Sequence, residues 1–162
     1  MSSRIQRLIS GYTLSLVVIL LDYFTKAWAV KVLHPYEPKS VFLMMNWTLA
    51  FNTGSAFSFL ENVGPWHQWV LGGFSFLMSI VIVIWMSRAT FDMQKIEFYG
   101  LSLILGGAIG NLIDRLNGGY VIDFIDVFYK NHHWPVFNIA DSAICLGAGL
   151  LIVDRIFEKR RV

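Results

Sequence analysis

The segment from Trp66 to Ser87 contains no Asp, Glu, Lys or Arg. About 20 consecutive apolar residues in a helix are enough to cross the roughly 30 Å hydrocarbon core of a bilayer. The rest of the composition agrees, because 56% of the chain is hydrophobic and only 15% is charged, whereas soluble domains average about 25% charged residues. The sequence therefore predicts an integral membrane protein.

Charge-poor stretches of spanning length occur at four places, approximately residues 8–30, 66–87, 98–116 and 138–157. We find no repeat, linker or low-complexity tract that would separate a second unit. The sequence predicts an α-helical membrane protein with four transmembrane helices, organised as a single integral-membrane domain over residues 1–162.

Basic residues beside the span ends predict the orientation, since cytoplasmic loops retain Lys and Arg. Eight of the 13 basic residues fall on one side of a four-span layout: Arg4, Arg7, Arg88, Lys95, Arg155, Lys159, Arg160 and Arg161. Both termini are therefore expected to be cytoplasmic and both longer loops outside. The outer loop from Val41 to Leu60 has apolar runs around Asn52-Thr53-Gly54, which predicts a small extracytoplasmic β-sheet between spans one and two.

Charge and cysteine content exclude several classes of partner. The formal net charge is only +2, from 13 basic and 11 acidic residues, which is too balanced for nucleic-acid binding. Cys145 is the single cysteine, so an internal disulfide and a cysteine-based zinc cluster are excluded. We expect a buried, inert thiol within span four. The adjacent His132 and His133 lack a helical metal-binding spacing and are interpreted as interfacial loop residues.

The layout brings acidic side chains to one depth. Asp22 and Asp114 lie late in outward-running spans, Asp141 lies early in the inward-running span four, and Asp123 and Asp126 follow span three closely. A charge inside a bilayer costs at least about 2.5 to 3.5 kcal/mol, so each of these groups should be paired, hydrated or functional. The sequence predicts a layer of carboxylates near the outer face.

Structural roles account for several of these charges. Asp22 and Lys26 have the i, i+4 spacing of an ion pair on one helix face, and Asp114 with Arg115 can anchor or position a helix end. Asp126, read as a loop residue, is expected to be solvated.

Asp141 and Asp123 are the stronger candidates for chemistry. Asp141 could cap a helix, but Asn138 can serve as that cap, which leaves Asp141 one turn inside without a required capping role. Asp123 is flanked by apolar residues and is expected to be partly desolvated. Two carboxylates that meet in such surroundings can share a proton and polarise a water, which is the chemistry of aspartic proteolysis.

With these residues identified, the chain strongly resembles the bacterial prolipoprotein signal peptidases, or signal peptidase II. The resemblance covers nearly the whole chain and depends on five blocks in the family order: LDYFTK at 21–26, FNTGSAFS at 51–58, GGAIGNLIDR at 106–115, VIDFID at 121–126 and FNIAD at 137–141.

The resemblance implies a four-span aspartic endopeptidase of the bacterial inner membrane with its active site at the outer face. It implies that Asp123 and Asp141 are catalytic. Substrate-binding positions would be Asn52, Gly54, Asn111, Asp114, Arg115 and Asn138, with Asp22 and Lys26 in support. The implied partners are diacylated prolipoproteins, cut before the lipidated cysteine, and membrane lipids, and we expect a monomer without a metal or organic cofactor.

Rival functions remain open from sequence alone. A proton-coupled small transporter also carries intramembrane carboxylates, although its ionisable sites usually lie near the midplane. Another type of intramembrane protease is the closer rival, although the Gly-x-Gly-Asp signature of prepilin-type peptidases is absent. A non-catalytic assembly factor would tolerate Asn at both candidate positions.

Overall fold

A computed structural model describes residues 3–54, 66–88 and 93–158. Its helices are α1 (Ser3–Val32), α2 (His67–Arg88), α3 (Lys95–Gly118) and α4 (Ile139–Glu158). Its strands are β1 (Lys39–Phe42), β2 (Met45–Asn52), β3 (Val121–Tyr129) and β4 (His132–His133). Each predicted span coincides with one helix to within a few residues.

Within the described residues, three helices are long and apolar enough to cross a membrane: Arg4–Val32, Gln68–Arg88 and Lys95–Gly118. α4 has 20 residues, which is sufficient length. It carries Asp141 near its start and Asp154 with Arg155 near its end, so its apolar stretch is shorter than those of the other helices.

The helix α3 lies at the centre of the bundle and packs against α1, α2 and α4. Small residues permit this close packing. A Cβ atom at Gly106 would lie 2.8 Å from the backbone oxygen of Ser15 in α1, and a Cβ at Gly107 would overlap the backbone oxygen of Ala140 in α4. These two glycines therefore set the distance from α3 to its neighbours on both sides.

The strands of the described residues form one antiparallel sheet in the order β1-β2-β3-β4. The prediction of a sheet between spans one and two is thus only partly right, because β3 and β4 come from the segment between α3 and α4. β1 and β2 join through Leu43 and Met44, while Asn52-Thr53-Gly54 follows the end of β2. The predicted strand beyond that turn falls in residues 55–65, outside the described residues.

The VIDFID block, expected in the loop after span three, is instead the first part of β3. Gly119 ends α3 in the left-handed conformation, at φ 71°, and its N–H bonds to the backbone oxygen of Arg115. A glycine adopts this conformation without a steric cost. The chain therefore turns sharply, and the β-branched and aromatic residues that follow pair with β2.

An apolar cluster fixes the sheet against the end of α1. Trp28 of α1 contacts Trp47 of β2 and Phe124 of β3, with ring centroids 5.6 Å and 6.2 Å apart. Leu49 and Phe124 are each only 2% exposed. This packing holds β3, and with it Asp123, beside the start of α4.

Candidate active site

The two aspartates singled out from the sequence lie on different elements of the structure. Asp123 belongs to β3 and is 2% exposed. Asp141 is half-buried in the first turn of α4. The β2–β3 pairing and the α3–α4 packing together bring these elements side by side.

Asn138, which is completely buried, contacts both carboxylates. Its side-chain Nδ2 donates to Asp123 Oδ1 at 2.7 Å. The backbone N–H of Asp141 donates to Asn138 Oδ1 at 2.8 Å, and the backbone N–H of Asn138 donates to Asp141 Oδ2 at 3.3 Å. One residue thus connects the two acids.

The last two of these bonds form a reciprocal capping box at the start of α4. The prediction that Asp141 has no capping role is therefore wrong, because its carboxylate completes the box. Since both oxygens of this side chain accept hydrogen bonds, its orientation is fixed before any substrate arrives.

Two further asparagines, Asn52 and Asn111, hold the outer oxygens of the pair. Asn52 Nδ2 donates to Asp123 Oδ2 at 2.9 Å, and Asn111 Nδ2 donates to Asp141 Oδ1 at 2.7 Å. The backbone N–H of Gly54 donates to Asn52 Oδ1 at 2.8 Å, so the amide nitrogen of Asn52 must face Asp123. Uncharged amides can position carboxylates while leaving their proton exchangeable.

Burial of Asp123, together with the nearby charge of Asp141, raises the pKa of Asp123 to about 7. The hydrogen bonds from Asn52 and Asn138 act in the opposite direction but do not outweigh burial. A carboxyl group in this state gains or loses a proton close to neutral pH, which is what a general acid requires.

A buried charge cluster lies on the other side of Asn111. Lys26 Nζ lies 2.6 Å from Asp22 Oδ2 and 2.8 Å from Asp114 Oδ2, and it donates to Asn111 Oδ1 at 3.2 Å. The predicted i, i+4 pair of Asp22 and Lys26 is therefore confirmed. Asp114 joins it from α3, which the sequence spacing alone did not indicate.

Asp22 and Asp114 also hydrogen-bond to the elements that carry the two candidate aspartates. Asp22 Oδ1 accepts from the backbone N–H of Ala140, at 2.9 Å, and Asp114 Oδ2 accepts from the backbone N–H of Ile122, at 3.1 Å. Ala140 immediately precedes Asp141, and Ile122 immediately precedes Asp123. The cluster therefore fixes the backbone at both positions.

A cavity of about 580 Å³ opens beside this network. Asp141, Asn52 and Arg115 provide its polar surface, and Asp123 lies behind them. Arg115 is half-buried and interacts electrostatically with Asp141, Asp123 and Asp114. The remaining lining comes from loop and helix residues that are mostly apolar: Gly54, Leu71, Trp134, Pro135, Val136, Phe137, Ser142, Ile144 and Cys145.

Two predictions about individual side chains are wrong. Cys145 is exposed and lines the cavity, because the face of α4 that carries Asp141 also carries the residue one turn later. Asp126 is 2% exposed and accepts hydrogen bonds from Asn46 and Thr48 of β2, with His133 Nδ1 at 2.7 Å. It is buried because β3 is an inner strand of the sheet.

Sequence reasoning missed the segment 134–137 as a wall of the cavity. Its backbone is tied to β3, since Phe137 N–H donates to Ile125 O at 3.0 Å and Trp134 N–H donates to Val127 O at 2.8 Å. The only sequence signal was its position directly before Asn138. Among the described residues, no group of three or more His, Cys, Asp and Glu side chains is arranged to hold a metal ion.

Known proteins are similar to this chain in sequence. A family model described as signal peptidase (SPase) II matches residues 14–157. The lipoprotein signal peptidase of Acinetobacter baylyi is 45% identical over 92% of this chain and 83% of its own length, and that of Teredinibacter turnerae is 46% identical over 92% and 88%.

Solved structures are similar as well. One bacterial membrane enzyme superposes with a TM-score of 0.80 at 26% identity, covering 93% of this chain and 89% of that one. A second gives a TM-score of 0.75 at 27% identity, covering 90% and 91%.

Proposed function

Because the chain belongs to the signal peptidase II family of membrane aspartic proteases, it removes signal peptides from prolipoproteins, and we propose that Asp123 and Asp141 are its catalytic pair. The observation that carries this assignment is the double contact of Asn138, which hydrogen-bonds both carboxylates. Two acids held by neutral amides can share one proton, as aspartic proteolysis requires.

The geometry supports different starting roles for the two acids. Asp141 lines the cavity, so in its ionised form it takes a proton from a water that attacks the scissile carbonyl carbon. Asp123, buried and with its pKa raised to about 7, starts protonated and gives its proton to the carbonyl oxygen, which yields a tetrahedral diol.

Collapse of this intermediate reverses the transfers. Asp141 passes its proton to the leaving nitrogen, and Asp123 recovers a proton from one hydroxyl group as the carbonyl re-forms. The C–N bond breaks, one product ends in a carboxyl group, and the other begins with a free amine. The dyad returns to its initial protonation state.

The substrate class we propose is a precursor that already carries diacylglycerol on the cysteine after the cleaved bond. Acyl chains partition into the bilayer, with about 0.8 kcal/mol for each buried CH₂. They would hold the modified cysteine at a constant depth, level with a site that lies at the ends of the helices. The cut would fall on the N-terminal side of that cysteine.

We further propose that α4 is a fourth span. The stretch from Ser142 to Val153, between its terminal charges, contains no charged residue. The starts of α1 and α3 lie at the same end of the bundle as the end of α2, since Arg4 Nη2 donates to Ser87 O at 2.8 Å and Arg7 Nη2 donates to Met93 O. The arrangement supports cytoplasmic termini and a site at the outer face of the bacterial inner membrane. We propose that the protein acts there as a monomer in contact with membrane lipids.

Single-turnover cleavage of a diacylated precursor peptide by the purified protein tests the dyad. Asp123→Asn and Asp141→Asn keep the side-chain shape but remove proton exchange, so each should lower the rate by at least about 10³-fold. The double variant should be hardly slower than either single variant, because the two acids act as one unit.

Asp126→Asn is the matched control, because Asp126 is equally buried on the same strand but is held by Asn46, Thr48 and His133 and not by the asparagines that contact the dyad. Once its folding has been verified, it should retain most of the wild-type rate. Substantial cleavage by folded Asp123→Asn or Asp141→Asn would refute the assignment of that residue.

A further inference from the structure

Two cavities, which we call branches, have Arg115 as a common lining residue. A second, smaller cavity of about 330 Å³ lies between α2 and α3, and Arg115 lines both cavities. The larger branch contains Asp141 and Asn52. The smaller branch, which we call the α2–α3 groove, has no carboxylate among its described lining residues.

The α2–α3 groove is polar at one end and apolar along its length. Gln68 lies at one end beside Gly119, and Arg115 lies one turn further along beside Gly72. The apolar lining includes Trp69, Phe76 and Leu112. Gln68 and Phe76 are eight positions apart in α2, which corresponds to about 12 Å along a helix. The groove therefore extends from the level of the candidate site toward the middle of the bundle.

Two adjacent glycines keep this groove open. A Cβ added at Gly72 would come no closer than 4.0 Å to the side chains of Arg115 and Leu112. A Cβ added at Gly73 would find no atom of the described residues within 4 Å. Glycine inside a helix costs about 1 kcal/mol relative to alanine, and close packing against α3 does not require it at Gly73. We therefore infer that Gly72 and Gly73 serve to leave the α2–α3 groove open.

We propose that the α2–α3 groove receives an acyl chain of the lipid-modified substrate, while the larger branch receives the peptide; this inference rests on the proposed function. Such a substrate branches at its modified cysteine, where the peptide and the glyceryl group diverge. Arg115 is the residue that the two cavities share. The guanidinium, with several N–H donors in a fixed plane, is positioned to bind ester oxygens at the branch point.

The chemistry of the two branches determines which part enters each one. The scissile bond must meet Asp141, which lines only the larger branch. A peptide in the α2–α3 groove would leave its N–H and C=O groups without partners along Trp69 and Phe76, which is unfavourable. A hydrocarbon chain has no such groups and gains from the same apolar contact.

The test compares Gly73→Leu with Gly149→Leu, which is a closely matched control. Gly149 is an exposed helical glycine of α4, and a Cβ there also finds no described atom within 4 Å. It lines neither branch. Both variants therefore add the same side chain to open space on a helix, and only Gly73→Leu fills the groove.

Each purified variant is assayed on one precursor peptide carrying either two palmitoyl or two butyryl chains. Gly73→Leu should lower kcat/KM for the dipalmitoyl peptide at least about tenfold, because the contacts of several methylene groups are lost. It should leave kcat/KM for the dibutyryl peptide within about twofold of wild type. Gly149→Leu should match wild type on both peptides.

A third variant fills the larger branch. Cys145→Trp places a bulky side chain in the larger branch and should lower kcat/KM for both peptides to the same extent. If Cys145→Trp discriminates by chain length and Gly73→Leu does not, the acyl chain lies in the larger branch and the inference is overturned.

Equal kcat/KM values of folded Gly73→Leu and wild type on the dipalmitoyl peptide would also overturn the inference, since the groove would then hold no substrate chain. Failure of the proposed function is distinguishable from this result. In that case the wild-type protein itself would not cleave the dipalmitoyl peptide.

Discussion

At the scale of single residues, the candidate site is organised by asparagines. Asn138 contacts both aspartates, Asn52 holds the outer oxygen of Asp123, and Asn111 joins Asp141 to the charge cluster through Lys26. An amide can donate and accept at once without contributing a charge. The amides thereby position the aspartates and leave exchangeable the proton that we propose the two acids share.

Asn138 has two separable roles, which substitutions can distinguish. Asn138→Ala removes the contact with Asp123 and the cap of α4, so we expect a loss of about 1 kcal/mol of stability and a fall in kcat of about 10²-fold or more. Asn138→Ser can restore the cap but does not reach as far. It should recover the melting temperature but not the rate, and recovery of both would show that Asn138 acts only as a cap.

The protonation of Asp123 predicts how stability depends on pH. Its folded-state pKa of about 7 exceeds its ordinary value of 3.8, so the folded protein binds this proton more tightly than the unfolded chain does. The stabilising contribution is complete below about pH 4 and is lost as the pH rises through about 7.

Melting temperatures between pH 5 and pH 8 check this sign. Wild type should lose stability over this interval, and Asp123→Asn, which cannot titrate, should lose less. His133 and Asp126 are present in both proteins, so the difference between them isolates Asp123. An identical pH dependence in both proteins would contradict the raised pKa.

At the scale of elements, the site is assembled where α3 meets α4 and where β2 meets β3. Gly107 permits α3 to approach Ala140, the residue before Asp141. The pairing of Ala50 with Asp123 fixes the position of β3 relative to β2. Small changes in helix spacing should therefore alter the relative positions of the two acids.

Two glycine-to-alanine substitutions should have opposite effects on stability. Alanine in a helix is favoured over glycine by about 1 kcal/mol, so Gly149→Ala, which meets no described atom, should stabilise the protein by up to that amount. Gly107→Ala forces its Cβ against Ala140 O and should destabilise by about 1 to 3 kcal/mol.

Thermal unfolding in detergent and single-turnover kinetics measure both variants. We expect Gly107→Ala also to slow cleavage, since Ala140 N–H and Asp141 shift with α4, whereas Gly149→Ala should keep the wild-type rate. A stabilising effect of Gly107→Ala would mean that α3 and α4 are not in close contact at this position.

The sheet includes a second buried acid that does not belong to the site. Burial would raise the pKa of Asp126, but its hydrogen bonds with His133, Asn46 and Thr48 outweigh that effect and lower it. Its contribution to stability is therefore present above the ordinary Asp pKa and is lost as the pH falls. Asp126 joins β2, β3 and β4 through these hydrogen bonds.

At the scale of the whole molecule, the helices form a bundle with the sheet at the end that carries the carboxylates. Cysteine labelling in intact cells tests the membrane orientation that we propose. In a Cys145→Ala background, Ser40→Cys of β1 and Asn131→Cys of the β3–β4 turn should react with an impermeant reagent from outside. Gln94→Cys, just before α3, should react only after the membrane is breached.

These positions are at least partly exposed, so a failure to react reports the side of the membrane and not burial within the fold. Labelling of Gln94→Cys in intact cells, with Ser40→Cys and Asn131→Cys protected, would reverse the orientation. It would also remove the argument that the site faces outward.

The number and approximate limits of the helices could be predicted from the amino-acid sequence, because a charge-poor run of spanning length has few alternatives to a helix across a bilayer. The candidate aspartates and the Asp22–Lys26 pair could also be found, since they stand out in apolar surroundings or have helical spacing, whereas Asn52 and Asn111 were indicated only by the family resemblance. Such signals are local, and they can be read without knowing which segments meet.

Which of these residues meet could not be predicted in this way and depends on the packed fold. β3 pairs with β2 across a long separation in sequence, so VIDFID is a strand, Asp126 is buried and the sheet receives strands from two segments. The same is true of the contact between Asp114 and Lys26, the capping role of Asp141, the exposure of Cys145 and the position of Arg115 beside two cavities. Each depends on the packing of distant segments, whose geometry is set by the free energy of the whole fold and not by any local pattern.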